Sequence, residues 1–446
     1  MIVQDKLEHT DKAVIRLVIV LWALLLLCTL ISSDLFILAY LGLGIVSTLL
    51  LPMEQVILML AATVSFTNIV SLSVNFSVSL SWILTLAFIF RALIKPFKLK
   101  ISSLVLCMLF CIYMASGLDS GKAGFFSDIK TIINYMFIIF LAINIEKIRP
   151  IKLLVFYIFG HILSVILYFP ASRSDRFVNA LQRDFTETSM ISTLRFTGLD
   201  FDSNFFAANC AFIIAVLLII MSNSERVKCS PNRIRSFLII YFILGMFSFS
   251  KTFVVDVAVL LLLYFVVNIS RRFSKLLVAI VLLVVAACVI DEFTDGMVFK
   301  IMLSRFVERG WDLNMQTTGR LNIWIAYLED WRSSLRNIWL GVGMANKRLP
   351  FQKMHHQTYI EILYQFGIIG SLIFFTYMGS IFGEISRSRS TVKLHLRHLA
   401  LISIAVCGLT LGQFAFDSFI YQLVIAMILI CGGVDTAMVP DRVSIP

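Results

Sequence analysis

Cations and one candidate proton acceptor are spread over three polar segments of an otherwise apolar chain. The first segment runs Arg195-Phe196-Thr197-Gly198-Leu199-Asp200-Phe201-Asp202-Ser203-Asn204-Phe205-Phe206-Ala207, where a new apolar run begins. Asp202 or Ser203 fits a helix cap there. Arg195, held before a glycine turn, fits either a headgroup anchor or a guanidinium forked onto phosphate oxygens. The second segment, Phe249-Ser250-Lys251-Thr252, interrupts two apolar runs, and its lysine either snorkels to an interface or meets an anion. Asp256 lies one turn further in, where a carboxylate needs a partner or a polar cavity. The third segment holds Arg305, Arg309 and Arg320 and closes on His355-His356, just ahead of Tyr359 and Glu361. Adjacent histidines project in different directions, so the pair does not ligate one metal without further ligands. A single imidazole, with an ordinary pKa of about 6.5, suits removal of a proton from a hydroxyl near neutral pH. The same spacing also fits two interface histidines.

Taken together, Arg195, Lys251, Arg305, Arg320 and one histidine describe a site for a polyanionic lipid head group with a proton acceptor beside it. No acidic cluster accompanies them that would hold Mg²⁺ for a pyrophosphate. Arg and Lys would neutralise such a substrate instead, and neither a metal nor a cofactor is expected.

The elements that must position these residues are membrane spans. Of the 446 residues 59% are hydrophobic and only 15% charged, far from the balance of a soluble domain. Apolar runs of roughly 20 residues recur along the chain, each long enough to cross the hydrocarbon as a helix, while the short alternating segments of a barrel are missing. The expected spans are 14–31, 35–51, 55–73, 77–94, 101–118, 129–145, 151–169, 203–222, 236–250, 252–268, 275–290, 357–382, 397–413 and 416–433. The fold class is therefore all-α, a polytopic helical membrane bundle of about 12–14 spans over the single domain 1–446. The first run follows Lys6, Lys12 and Arg16 like a signal peptide, but no small-residue cleavage pattern follows it, so it is read as a retained helix.

Charge placement gives the sidedness. The net charge of +11 falls in short clusters between spans rather than in one stripe, which argues for topology and against a nucleic-acid partner. With the N-terminus cytoplasmic, the clusters at 91–100, 147–152, 226–235, 271–275 and 387–397 all fall inside. The C-terminus then also lies inside, and the two long loops, 170–202 and 292–356, share the outer face. In the larger loop Leu321, Trp324, Ile325, Leu328, Trp331 and Leu335 recur at helical spacing, which predicts an amphipathic helix lying on the membrane or roofing the bundle. Seven of the eight cysteines sit inside apolar runs with no ligand spacing, so disulfides and structural zinc are not expected.

The order, spacing and sidedness of these elements resemble the O-antigen polymerase and ligase superfamily, the Wzy-like membrane glycosyltransferases of the Wzy_C type that act on undecaprenyl-pyrophosphate sugars. An Arg-x-x-Gly…Asp-x-Asn-x-x-Ala element matches Arg195 to Ala207, with Ser203 where members often carry proline. A Ser-Arg element matches Ser250-Lys251, with lysine for arginine. A Gly-Arg…Trp element matches Gly319-Arg320 and Trp324, followed by Gly341-Val342-Gly343. A His-Asn-x-Tyr…Gly element matches His356-Gln357-Thr358-Tyr359 through Gly367 and Gly370, with glutamine for asparagine.

The resemblance covers roughly 195–370 by motif and implies a GT-C-like bundle in a bacterial inner membrane with a periplasmic active site. It implies His356 as the base, Arg195, Lys251, Arg320 and Arg305 on the pyrophosphate, and Asn204, Tyr359 and His355 in support. Its implied partners are an undecaprenyl-pyrophosphate-linked oligosaccharide, the lipid bilayer and a chain-length regulator. Two activities share these motifs, polymerisation of repeat units and ligation of glycan to lipid A core. A lipid-linked oligosaccharide flippase or another transporter is the alternative from a different class, although no internal repeat marks one.

Overall fold

The computed structural model describes residues 2–67, 71–73, 76–94, 100–118, 122–144, 150–174, 196–200, 202–227, 230–267, 292, 320–344, 357–387, 394–412, 414 and 417–431. The regular structure in this set is helical apart from one small hairpin. The elements are α1 (Ile2–Ile31), α2 (Asp34–Leu50), α3 (Met53–Thr67), β1 (Ser71–Ser73), β2 (Phe76–Ser79), α4 (Leu80–Ile94), α5 (Ile101–Ala115), α6 (Lys122–Asn144) and α7 (Pro150–Ala171). They continue with α8 (Ser203–Ser222), α9 (Ser224–Val227), α10 (Pro231–Phe247), α11 (251–267), α12 (Arg320–Arg332), α13 (Leu335–Leu340), α14 (Thr358–Arg387), α15 (Leu399–Gly408) and α16 (Asp417–Cys431).

Every expected span has a helix within it except 275–290, which lies outside the described residues. Among the described residues four helices are long and apolar enough to cross a membrane alone, at 11–31, 151–171, 203–222 and 358–386, and shorter apolar helices accompany them. The all-α class holds, and the small hairpin at 71–79 is a local departure where the expected spans 55–73 and 77–94 meet. Polar and apolar residues alternate from Ser71 to Ser79, a period of two that suits strands rather than a helix. β1 and β2 accordingly pair antiparallel, Ser71 opposite Ser79 and Ser73 opposite Phe76.

Contacts between helix ends reproduce the alternating order that the basic clusters predict. At one end Lys152 pairs with Asp11 at 2.7 Å, Ser103 donates to Glu384 at 3.0 Å, and His395 N–H donates to Asn223 at 3.0 Å. Arg91 and Arg397 donate at the same end to Thr48 O and Ile430 O. At the opposite end meet the starts of α8, α11 and α14, the ends of α5, α10 and α15, and the helices α12 and α13.

α8 forms the centre. It is apolar all round and buried from Phe206 to Ile220, the pattern of a helix with protein on every side. α10 and α15 flank it, and α3 packs closely on α7, where a Cβ at Gly160 would overlap the backbone of Ala62. A second centre is aromatic: Tyr135 stacks on Phe414 at 4.7 Å, and Phe110, Phe366, Phe374 and Tyr377 meet them or one another edge-on or tilted, with centroids 5.2–5.9 Å apart.

α14 is broken inside its apolar run. Gly367 has φ +59 and ψ −166, so the carbonyls of the preceding turn lose their helical donors. Val342 N–H replaces one donor at Tyr364 O and Gly343 N–H another at Gln365 O, both at 3.0 Å. A backbone carbonyl left unpaired in apolar surroundings costs about 1–3 kcal/mol, so the break depends on this inserted turn. The approach leaves no room for side chains, since a Cβ on Gly341 would lie 2.4 Å from Gln365 O and one on Gly367 2.4 Å from Gly341 N.

Candidate active site

The segment entering α8 is built by its own side chains. Asp202 caps the helix, its carboxylate accepting from Asn204 N–H at 2.6 Å. Ser203 thus occupies the first helical position, where proline is also compatible. Gly198 turns the chain at φ +53, and a Cβ there would lie 2.6 Å from the Phe206 ring. Phe196 N–H then donates to Phe247 O at 3.0 Å, tying this segment to the end of α10.

That tie brings two of the predicted elements together. Ser250 Oγ donates to Asn204 Oδ1 at 2.8 Å, so Asn204 sits against the turn that carries Lys251. The turn is tight: Phe249 takes φ +50, and Ser248 Oγ accepts from Ser250 N–H at 3.2 Å. Lys251 opens α11, half-buried, with Thr252 buried beside it.

The end of α15 gathers the remaining elements. Thr252 Oγ1 and Thr410 Oγ1 share a hydrogen bond of 2.7 Å. Arg320, the first residue of α12, donates from Nη1 to Thr410 O at 2.7 Å. Thr358, at the start of α14, donates to Leu411 O at 2.6 Å, and Tyr359 Oη donates to Ala405 O at 3.0 Å. These carbonyls lie in or just past the last turn of a helix, where the dipole is negative and a guanidinium is favoured. Glu361 is buried against Gly412, where a Cβ would lie 2.9 Å from Glu361 Oε2. Gln357 caps α14, its side-chain oxygen accepting from Ile360 N–H at 2.8 Å. An asparagine at this position is the better-known cap of the same kind.

Asp256, one turn below Thr252, has the partner its depth requires. Ser403 Oγ donates to Asp256 Oδ2 at 2.7 Å and Cys407 Sγ lies 3.1 Å from the same oxygen, both on α15. α11 and α15 are therefore joined by two polar rungs, one at the site and one beneath it.

Of the predicted site residues, Lys251, Arg320, Asn204 and Tyr359 converge on this end of the bundle. Arg195, Arg305, His355 and His356 lie outside the described residues, although His356 directly precedes Gln357 in the chain. The amphipathic helix is present but shorter and turned. α12 ends at Arg332, and Leu335 belongs to α13, which Ser334 caps by accepting from Asn337 N–H at 3.1 Å. The buried residue of α12 is Tyr327, edge-on to Tyr364 at 4.7 Å, whereas Ile325 and Leu335 of the predicted stripe are exposed. Tyr364 Oη also donates to Asp330, so the polar face of α12 takes part in docking.

Sequence reading missed a buried polar chain behind the segment entering α8. Asn209 Nδ2 donates to Asp200 Oδ2 at 2.8 Å, and Gln422 Nε2 donates to Asn209 Oδ1 and lies 3.2 Å from Tyr157 Oη. Burial pushes the Asp200 carboxyl up to about 7, with Asp202 adding to the rise and the Asn209 bond opposing it. Its signal in the sequence was the pair of amides, Asn209 and Gln422, inside apolar runs.

Family comparison then covers much of this end of the bundle. Residues 236–375 match the family model Wzy_C, described as O-antigen ligase. The matched region takes in Ser250, Lys251, Arg320, the 341–343 turn, Tyr359 and Gly367, and the match is consistent with the O-antigen polymerase and ligase superfamily. Asn204 and Thr410 contribute to the same site from outside it. Comparison with curated proteins and with solved structures returns no match.

Proposed function

We propose that the chain is a polymerase of O-antigen or a related surface polysaccharide, joining undecaprenyl-pyrophosphate-linked repeat units at the periplasmic face of a bacterial inner membrane. The observation that carries this reading is the convergence of Asn204, Lys251, Arg320 and the entry to α14 on the last turn of α15. The match to the O-antigen ligase family model supports the general class of reaction. The clustering of basic residues at the opposite end supports a cytoplasmic location for that end.

In this mechanism an acceptor hydroxyl oxygen attacks the anomeric carbon of the donor, and His356 takes its proton. The bond from that carbon to the pyrophosphate oxygen breaks, and undecaprenyl pyrophosphate leaves with the electron pair. Direct displacement inverts the anomeric centre. Arg195, Lys251, Arg305 and Arg320 bind the pyrophosphate and stabilise its departure without a metal, each cation contributing about 2–4 kcal/mol to the transition state. Asn204, Tyr359 and His355 support these groups. A chain-length regulator is the protein partner we propose.

The test is a deletion strain complemented separately with His356→Ala and His355→Ala at matched protein levels. The polysaccharide ladder should be lost with His356→Ala alone. Normal polymer from both variants refutes the base assignment. The deletion itself should leave single-repeat lipopolysaccharide. Loss of every attached repeat would instead assign the chain to ligation onto lipid A core.

A further inference from the structure

The outer half of α14 is held from the side. The break at Gly367 frees three successive carbonyls, of Tyr364, Gln365 and Phe366, from the helical ladder. Val342 and Gly343 donate to the first two, and the third lies 3.0 Å from Tyr113 Oη, in the last turn of α5. The same hydroxyl lies 2.7 Å from Leu340 O, so its one proton is shared between the end of α13 and the break in α14. Gly117, just past α5, completes the contact, since a Cβ there would lie 2.9 Å from Gly343 Cα. Three stretches distant in sequence therefore close on one point, with Tyr113 bridging the other two.

Two parts of the candidate site run out from this point. On one side of the break stand Thr358, Tyr359 and Glu361, in the helix that follows directly on His356. On the other, α13 continues from α12, whose first residue is Arg320 and whose Asp330 receives the Tyr364 hydroxyl. The helix that follows the proposed base in the chain and the helix that opens with Arg320 thus both reach this clasp. Tyr113 bonds at Phe366, eight residues or about 12 Å of helix along from Thr358, so it acts through these arms rather than on substrate.

We propose that Tyr113, with the Gly341-Val342-Gly343 turn, is a positioning residue for the transfer reaction, fixing the outer half of α14 against α12 and α13. The proposal rests on the glycosyl-transfer reading above. Tyr113→Phe removes the shared proton and keeps the ring packed beside Phe366, whose centroid is 6.4 Å away.

The experiment uses full-length wild type and Tyr113→Phe in nanodiscs, with two readouts. Amide exchange at Val342 and Gly343 should be slow in the wild type and about tenfold faster in the variant. Turnover of the lipid-linked repeat unit that accumulates in the deletion strain should fall about tenfold in kcat, with KM held within twofold. Ser116→Ala, which removes a hydroxyl bonded locally to Tyr113 O, should behave as wild type in both. Fast exchange at Val342 and Gly343 in the wild type overturns the clasp whatever the enzyme does, and decides the matter even if the variant fails to accumulate. Faster exchange with unchanged kcat, or a rise in KM alone, overturns the positioning role. Slow wild-type exchange with no sugar transfer by the wild type refutes the glycosyl-transfer reading, and the positioning role with it, while leaving the clasp standing.

Discussion

Arg320 is the residue on which charge and architecture can be separated. Its guanidinium donates to Thr410 O at 2.7 Å and, on the proposed mechanism, also faces a departing pyrophosphate. A hydrogen bond from a charged donor contributes about 1.5–3 kcal/mol, and a cation stabilising the leaving group about 2–4 kcal/mol. Lysine keeps the charge but not the planar fork, so Arg320→Lys can satisfy one partner only at the expense of the other. Its loss should be that of a single charged bond, about 10- to 100-fold in kcat/KM. Arg320→Ala loses the cation altogether and should fall by about 30- to 1000-fold. Thr410→Val keeps the main-chain acceptor of Arg320 but removes the hydroxyl pair with Thr252, so any loss it shows belongs to that rung and not to the Arg320 contact. The assay is the turnover rate of purified protein on the lipid-linked repeat unit, with detergent melting curves to exclude misfolding. The reasoning fails if Arg320→Lys matches wild type, or if Arg320→Ala loses no more than Arg320→Lys.

Two further outcomes concern stability. Asp200 has its carboxyl raised to about 7 from an ordinary value near 4, so the folded state holds an extra proton between those values and stability should fall as pH rises through that window. Asp200→Asn should flatten the fall, worth at most about 3 kcal/mol between pH 5 and pH 8, in melting curves taken over that range, and an unchanged slope would exclude Asp200 as its source. Gly367→Ala places a Cβ 2.4 Å from Gly341 N at a positive φ, and should cost more than about 3 kcal/mol or prevent accumulation. Gly379→Ala in the same helix meets nothing within 4 Å and should be neutral or stabilising by up to about 1 kcal/mol, both read from membrane-fraction yield and melting temperature.

The spans were legible because hydropathy over a bilayer-length window depends on composition rather than on partners. α8 begins and ends where the apolar run does, at Ser203 and Ser222. The side on which charges cluster was legible too, and the contacts at each end of the bundle agree with it. Legibility stopped where the backbone provides the chemistry. Nothing in Leu409-Thr410-Leu411 announces that two of its carbonyls will receive Arg320 and Thr358, because every residue type has the same carbonyl. The period of six apolar residues suggested one amphipathic helix from 321 to 335, yet Ser333 and Ser334 stop it, since a capping serine competes for the backbone. The glycines at 341, 343 and 367 were visible as a pattern. Their reason, a turn inserted into a broken helix, requires three dimensions.

On the proposed mechanism, the α15 turn would hold cations ready before a substrate arrives. A free arginine side chain at a membrane surface samples many rotamers, and ordering it on binding costs free energy. The carbonyl end of α15 holds Arg320 by one nitrogen while the Thr252 and Asp256 rungs fix that end against α11, the helix that begins with Lys251. Two cations from distant parts of the chain are thereby referred to a single rigid helix pair. An anion entering between them would meet charges already oriented by protein dipoles, which is the arrangement that favours charge developing on a leaving group over charge already present in the ground state.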